Sequence, residues 1–276
     1  MSEGYGDKHS VSRRRFLGTS LTAGAALTLS PSFLAFAQRA APIMRPIPSS
    51  GQLIPAIGLG SSATFAQVAR SEDVTAVREV MAKMHELGGR IFDTAPSYGA
   101  SEQVAGQIVQ VHNMGDPEVQ LPLLRDLKEA GRIRYMGITT TFPNQYDHLI
   151  QVMRNEPLDF IGVDYAVDNL DVEQVILPLA QERGIGVLVY APFGRTRLWS
   201  RVGDRPVPDY AQEFDAHTWG QFFLKFVLSH PAVTAATPST SRPANMEDNI
   251  GGMLGRLPDA AMRRRMIATV DELPTV

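Results

Sequence analysis

The sequence contains no cysteine, only four lysines and two tryptophans, and no excess of positive charge. Without cysteine there is no disulfide, no thiolate zinc site, no iron–sulfur cluster and no cysteine nucleophile. A formal net charge of -3 argues against a nucleic-acid partner, which usually demands a basic face. His85, His148, His217 and His230 show no metal-ligand spacing, so no metal centre is expected. With 44% hydrophobic and 20% charged residues the composition is globular, which excludes collagen, coiled coil and disorder. The 276 residues permit two small domains or one α/β barrel, which takes about 250 residues. Nothing in the sequence indicates an oligomeric state.

The N-terminus has its own pattern. Ser12-Arg13-Arg14-Arg15-Phe16-Leu17-Gly18 precedes an apolar stretch from Leu21 to Phe36, and Ala35-Phe36-Ala37 is an A-x-A cleavage pattern. This is the layout of a twin-arginine export signal. The alternative is an uncleaved membrane anchor, but the stretch is short for a span and is broken by Ser30 and Pro31. Residues 1–37 are therefore expected to be a leader that engages the twin-arginine export machinery. Residues 38–276 form the folded domain, periplasmic or otherwise exported, with no stable membrane span after cleavage. The remaining 239 residues carry a formal charge of -5.

Beyond the leader, short apolar runs alternate with amphipathic segments. Strands are expected at Ala56–Gly60, Arg90–Asp93, Ile108–His112, Ile133–Ile138, Asp159–Tyr165, Ile185–Ala191 and Ala232–Thr237. Helices are expected at Glu72–Leu87, Ser101–Val109, Pro117–Ala130, Asn144–Arg154, Val172–Glu182, His217–Ser229, Pro243–Leu254 and Asp259–Val270. This alternation implies parallel βαβ units. A doubly wound nucleotide fold would carry three fingerprint glycines after its first strand, and Gly58-Leu59-Gly60-Ser61-Ser62-Ala63 lacks the third. The expected fold is an α/β TIM barrel, (β/α)8 in type, with chemistry at the C-terminal ends of its strands.

Those ends carry Asp93 and Tyr98, then His112, Thr139 and Thr140, Tyr190, and the run from Ser239 through Arg242 to Asp248 and Asn249. Asp93-Thr94-Ala95-Pro96-Ser97-Tyr98-Gly99-Ala100-Ser101-Glu102 resembles the D-T-A-x-x-Y-G-x-S-E signature of the aldo/keto reductase superfamily. The resemblance extends over roughly Gln52 to Leu257, including L-K-E-A-G-R-I-R-Y-x-G-I at Leu127–Ile138 and the Arg242–Asn249 segment. It implies an oxidoreductase that transfers hydride from NADPH to a small aldehyde or ketone, with Tyr98 as general acid and His112 orienting the carbonyl. In the family the residue matching Asp93 polarises a lysine that lowers the tyrosine pKa. The physical need is clear, because a free phenol titrates near pH 10 and a nearby cation brings it toward neutrality. Tyr190 can stack on the nicotinamide, and Ser239 and Arg242 can hold a cofactor phosphate. Each also has a structural reading: Tyr190 as a lid on the barrel core, Arg242 as a solvated helix start. Thr139 and Thr140 stand in place of a Ser/Thr-Asn pair, and Gly162 in place of a glutamine.

One part of the pattern is missing. The family lysine belongs between the signature and the histidine, where only nine residues separate Glu102 from His112. Lys8 is in the leader, and Lys83, Lys128 and Lys225 fall inside expected helices. Seven strands are legible where a barrel needs eight. Two readings stay open: an NADPH-dependent reductase, or a non-catalytic NADP(H)-binding or interaction protein, a pseudoenzyme or deletion remnant. The Arg195-Thr196-Arg197-Leu198-Trp199-Ser200-Arg201 loop reads equally as an anion contact or a solvated segment.

Overall fold

The computed structural model describes residues 41–60, 75–93 and 108–275. The leader, Tyr98, Ser101 and Glu102 lie outside the described residues.

Seven parallel strands run through the described residues: β3 (Leu59–Gly60), β4 (Phe92–Asp93), β5 (Ile108–Val111), β6 (Tyr135–Thr140), β7 (Phe160–Asp164), β8 (Gly186–Tyr190) and β9 (Val233–Ala236). Before them, β1 (Met44–Pro46) and β2 (Leu53–Pro55) form an antiparallel hairpin. Strands β5 to β9 make one parallel sheet in chain order, and β3 pairs with β4. A parallel bridge between Ile57 and Ala236 joins the two sheets. It is reinforced by the Gly58 N–H on the Ala236 carbonyl at 2.9 Å and the Ala236 N–H on the Ala56 carbonyl at 2.9 Å. The order is therefore β4-β3-β9-β8-β7-β6-β5, with β4 and β5 as its end members among the described residues. This is a fold of (β/α)8-barrel type with seven recognisable strands.

Helices flank the strands: α1 (Thr75–Glu86), α2 (Pro117–Glu129), α3 (Tyr146–Asn155), α4 (Ile176–Arg183), α5 (Arg197–Val202), α6 (Trp219–Leu228), α7 (Pro243–Gly251) and α8 (Ala260–Asp271). The strands are covered on both faces, so β6 to β9 read as near-continuous apolar runs. Gly184 closes α4 at φ +64°, a left-handed conformation that glycine adopts without a Cβ penalty. Thr218 caps α6 by accepting from the Gln221 N–H at 3.1 Å, and Asp259 caps α8 by accepting from the Met262 N–H at 2.8 Å.

The lumen has its own small core of Ile47, Ile91, Tyr135, Phe160, Leu188 and Ala235. The hairpin seals its base. Ile47 is buried there, and Tyr135 at the start of β6 bonds Ser50 Oγ at 2.8 Å and donates to Gln52 Oε1 at 3.0 Å. Two rings fill space where inward residues are glycine. A Cβ on Gly186 would lie 2.7 Å from Phe160 Cε1, and one on Gly162 would lie 2.2 Å from Tyr190 Cε2.

Several expectations shift. The strand expected at Ile133–Ile138 runs over Tyr135–Thr140, so Thr139 and Thr140 are inside it rather than after it. The helix expected at Val172–Glu182 divides into a 3-10 turn (Asp171–Glu173) and α4. The arginine-rich stretch read as a loop contains α5. The β1–β2 hairpin was not foreseen, although Pro48-Ser49-Ser50-Gly51 marks its turn.

Candidate active site

The strand ends converge as barrel geometry requires. Gly60, Asp93, Thr139, Tyr190, Thr237 and Ser239 line a cavity of about 430 Å3, walled on the outer side by Phe142, Phe193, Arg195 and Trp199. A second cavity of about 360 Å3 shares Phe193, Trp199 and Ser239 with the first and continues to Thr240, Asn245, Asp248 and Asn249. Together they make an extended cleft across the C-terminal face.

Backbone strain concentrates at this rim. Asn113, Ala191, Arg195 and Thr196 line the cavity with φ of 50°, 50°, 50° and 78°. Left-handed conformations in non-glycine residues cost roughly 1–3 kcal/mol each and collect where a site needs a particular shape. Met114 and Asp116, just after β5, share the feature at φ 56° and 43°.

Asp93 is partly exposed and ends β4. Its partner is Tyr190, whose hydroxyl crosses the lumen to lie 3.0 Å from Asp93 Oδ1 and 2.9 Å from Gln110 Oε1 on β5. A phenol has one hydrogen and cannot donate to both. Gln110 Nε2 is buried without a partner. With the Gln110 amide turned over, Nε2 donates to Tyr190, and Tyr190 donates to Asp93. Burial pushes the Asp93 carboxyl up to about 6, against the smaller downward pull of the Tyr190 hydrogen bond.

No lysine takes the family's place beside Asp93 among the described residues. Lys83 is bonded to Glu86, Lys128 to Asp159, and Lys225 to the carbonyls of Leu254 and Arg256. Lys225 is fully buried, and that burial pushes its ammonium down to about 8.

The other sequence-derived candidates divide. Thr139 faces the cavity, with its hydroxyl accepting from the Asn113 N–H at 3.0 Å. Thr140 is buried and outside the cavity lining; its hydroxyl donates to Gln145 and accepts from the Phe142 N–H at 3.1 Å. Ser239 lines both cavities, although its hydroxyl donates to the Gly60 carbonyl at 2.7 Å. Asn249 is buried on the second cavity. Asp248 lines it too and is held by Thr218 at 2.9 Å and Gln221 at 2.9 Å. Arg242 is exposed at the start of α7. His112 begins a 3-10 turn directly after β5; its side chain, like Tyr98, lies outside the described residues.

The three arginines of the 195–201 segment are engaged with the protein itself. Arg195 donates to Asp164 at 3.1 Å, Arg197 forks onto Asp168 at 2.7 and 2.9 Å, and Arg201 donates to the Val270 carbonyl at 2.6 Å. Two polar residues not singled out from sequence belong to the site. Gln110 is the one polar residue of Ile108-Val109-Gln110-Val111, which was a usable signal. Thr237 is buried on the cavity wall with a hydroxyl that has no partner.

The sequence profile described as "Aldo/keto reductase family" matches residues 108–266. The Asp93–Glu102 signature precedes that span. Probable aldo-keto reductase 1 of Glycine max is 24% identical over 166 residues, covering 51% of this chain and 47% of that protein. Aldo-keto reductase yakc (NADP(+)) of Schizosaccharomyces pombe is 24% identical over 170 residues, 51% of this chain and 49% of that protein. The chain thus spans about half the length of the curated relatives it matches. Among solved structures, the holo form of aldo-keto reductase AKR11C1 from Bacillus halodurans superposes with a TM-score of 0.64 at 18% identity, covering 86% of this chain and 98% of that one. The aldo/keto reductase from Klebsiella pneumoniae in complex with NADP and acetate gives 0.61 at 17% identity, covering 84% and 99%. At these identities the structural likeness establishes the fold.

Proposed function

Since this chain belongs to the aldo/keto reductase family, we propose that it binds NADP(H) in the cleft across its barrel mouth and reduces a small aldehyde or ketone there. The observation that carries the reading is the cleft itself, two contiguous cavities at the strand ends. The residues present fit a dinucleotide. The buried Thr237 hydroxyl lacks a partner and lines the cleft, and the Tyr190 ring forms part of its inner wall. Thr139 and Tyr190 would hold the nicotinamide end. Ser239, Thr240, Asn249 and the exposed Arg242 would hold the phosphate and adenosine end. The bound cofactor supplies the hydride. Tyr98 is the proposed proton donor to the carbonyl oxygen, and His112 the group that orients it.

A second reading rests on one observation. The carboxylate that should polarise a lysine is bonded to Tyr190 instead, which favours a protein that holds NADP(H) without rapid turnover. On this reading the family's lysine-bearing βα unit is missing between Glu102 and His112. Titration of NADPH by fluorescence quenching, followed by a panel of aldehydes, separates the readings. Saturable quenching with cofactor consumption supports the reductase. Quenching without consumption supports the holding protein. Absence of quenching at millimolar NADPH removes both.

We further propose that residues 1–37 form a twin-arginine leader and that the domain acts after export, in the periplasm. No helix among the described residues is long and apolar enough to cross a membrane. Changing Arg13 and Arg14 to Lys is expected to abolish accumulation of processed protein in the periplasmic fraction. Unchanged accumulation rules the leader out.

A further inference from the structure

The tie between Asp93 and Tyr190 carries an inference that deepens the NADP(H)-binding reading and rests on it. Three observations meet at one ring. Tyr190 ends β8, yet its hydroxyl reaches Asp93 on β4 and Gln110 on β5, the two end members of the strand order among the described residues. Its ring packs against Gly162 of β7, close enough that a Cβ there would lie 2.2 Å from Cε2 and 2.7 Å from Cζ. The same ring lines the cavity at the barrel mouth.

A tyrosine side chain turns freely about two bonds unless both its ring and its hydroxyl are held. Here the absent side chain at 162 supplies the seat, and across the lumen the Asp93 acceptor and the Gln110 amide donor fix the far end. The ring becomes an inner wall of defined orientation. A planar, electron-poor ring binds best to an aromatic surface that need not be ordered on binding.

We propose that Asp93 and Gln110 are positioning residues, which act through the Tyr190 hydroxyl to hold its ring as a fixed stacking surface for the nicotinamide. Asp93 thereby does its work as a hydrogen-bond acceptor for a phenol. Its charge is secondary, because a neutral acceptor of the same shape does the same thing.

The test compares NADPH dissociation constants, by fluorescence quenching of the full-length domain, for the native protein and Asp93→Ala, Asp93→Asn, Tyr190→Phe and the Asp93→Ala/Tyr190→Phe double variant. Asp93→Ala and Tyr190→Phe are each expected to weaken binding by up to about tenfold, the scale of one hydrogen bond. Asp93→Asn is expected to stay within about twofold of native, since its amide oxygen still accepts. The double variant is expected to be no weaker than either single one, because both remove the same tie. A readout without cofactor accompanies these. The Asp93 carboxyl, isolated as the infrared difference between native protein and Asp93→Asn, is expected to titrate higher in a Tyr190→Phe background, where the hydrogen bond that lowers it is gone.

Native affinity in Asp93→Ala, equal loss in Asp93→Asn and Asp93→Ala, additive losses in the double variant, or an unmoved Asp93 titration each overturns the inference alone. A native protein that binds no NADPH overturns the functional reading beneath it, while the infrared shift still reports whether the tie exists.

Discussion

Replacing Phe160 by Ala is expected to lower the stability of the domain by about 3–5 kcal/mol, the range for removing a fully buried aromatic ring. Phe160 opens β7 with no exposed surface. Its ring meets Tyr135 edge-on at 5.7 Å between centroids and lies over Gly186, which has no side chain of its own. Around it stand Ile47, Ile91, Leu188 and Ala235. Relaxation is the usual escape from a cavity, and here it is blocked. The walls are hydrogen-bonded strands on both sides of β7, and the residue facing the ring on β8, Gly186, has no side chain to move into the gap. The loss therefore belongs toward the upper end of the range. Urea unfolding measures it as a fall in midpoint with an unchanged slope. A loss under about 1 kcal/mol would mean that the lumen collapses onto the gap.

The second large effect lies near the C-terminus, on α8. Arg263 on α8 donates to the Phe226 carbonyl at 2.6 Å, Ser229 Oγ at 2.7 Å, Tyr165 Oη at 2.8 Å and Glu173 Oε1 at 2.6 Å. Its guanidinium also lies 4.1 Å from the centre of the Phe226 ring. Removing it leaves Glu173 bonded to the buried Tyr165 hydroxyl with no cation beside either. Breaking such a partnered, mostly desolvated pair costs about 3–5 kcal/mol. Arg263→Ala is expected to fall in the lower part of that range, because Glu173 retains some contact with water. Arg263→Lys recovers little of it, since one ammonium cannot reproduce a planar fork spread over four acceptors. Thermal unfolding of the two variants checks both statements. Recovery of most of the stability by Lys would refute the geometric argument.

The parallel strands were legible because burial on both faces leaves an unbroken apolar run, as in Ile185–Ala191, and glycine marks the helix ends, as at Gly184. What sequence could not resolve was anything requiring a partner far along the chain. Thr139 and Thr140 read as one pair, yet alternation along β6 sends one hydroxyl to the cavity and the other to Gln145. The arginines of residues 195–201 read equally as an anion contact or a solvated segment, since the aspartates that take up Arg195 and Arg197 lie about thirty residues earlier. Gln110 was visible as a lone polar residue in an apolar strand, but its hydrogen-bond role depends on a tyrosine 80 residues away. That no lysine stands between Glu102 and His112 was legible by counting, and the phenol found beside Asp93 was not.

The glycine at 162 and the tyrosine at 190 have a consequence for how this chain can vary. Each is admissible only because of the other. A side chain at 162 strikes the ring, and a smaller residue at 190 leaves the seat at 162 empty. The same bargain joins Gly186 to Phe160. A side chain at 162 therefore requires the ring at 190 to move, and one at 186 requires the ring at 160 to move. The lumen of this protein is thus built from ring-and-glycine pairs, and each pair is a single unit of variation.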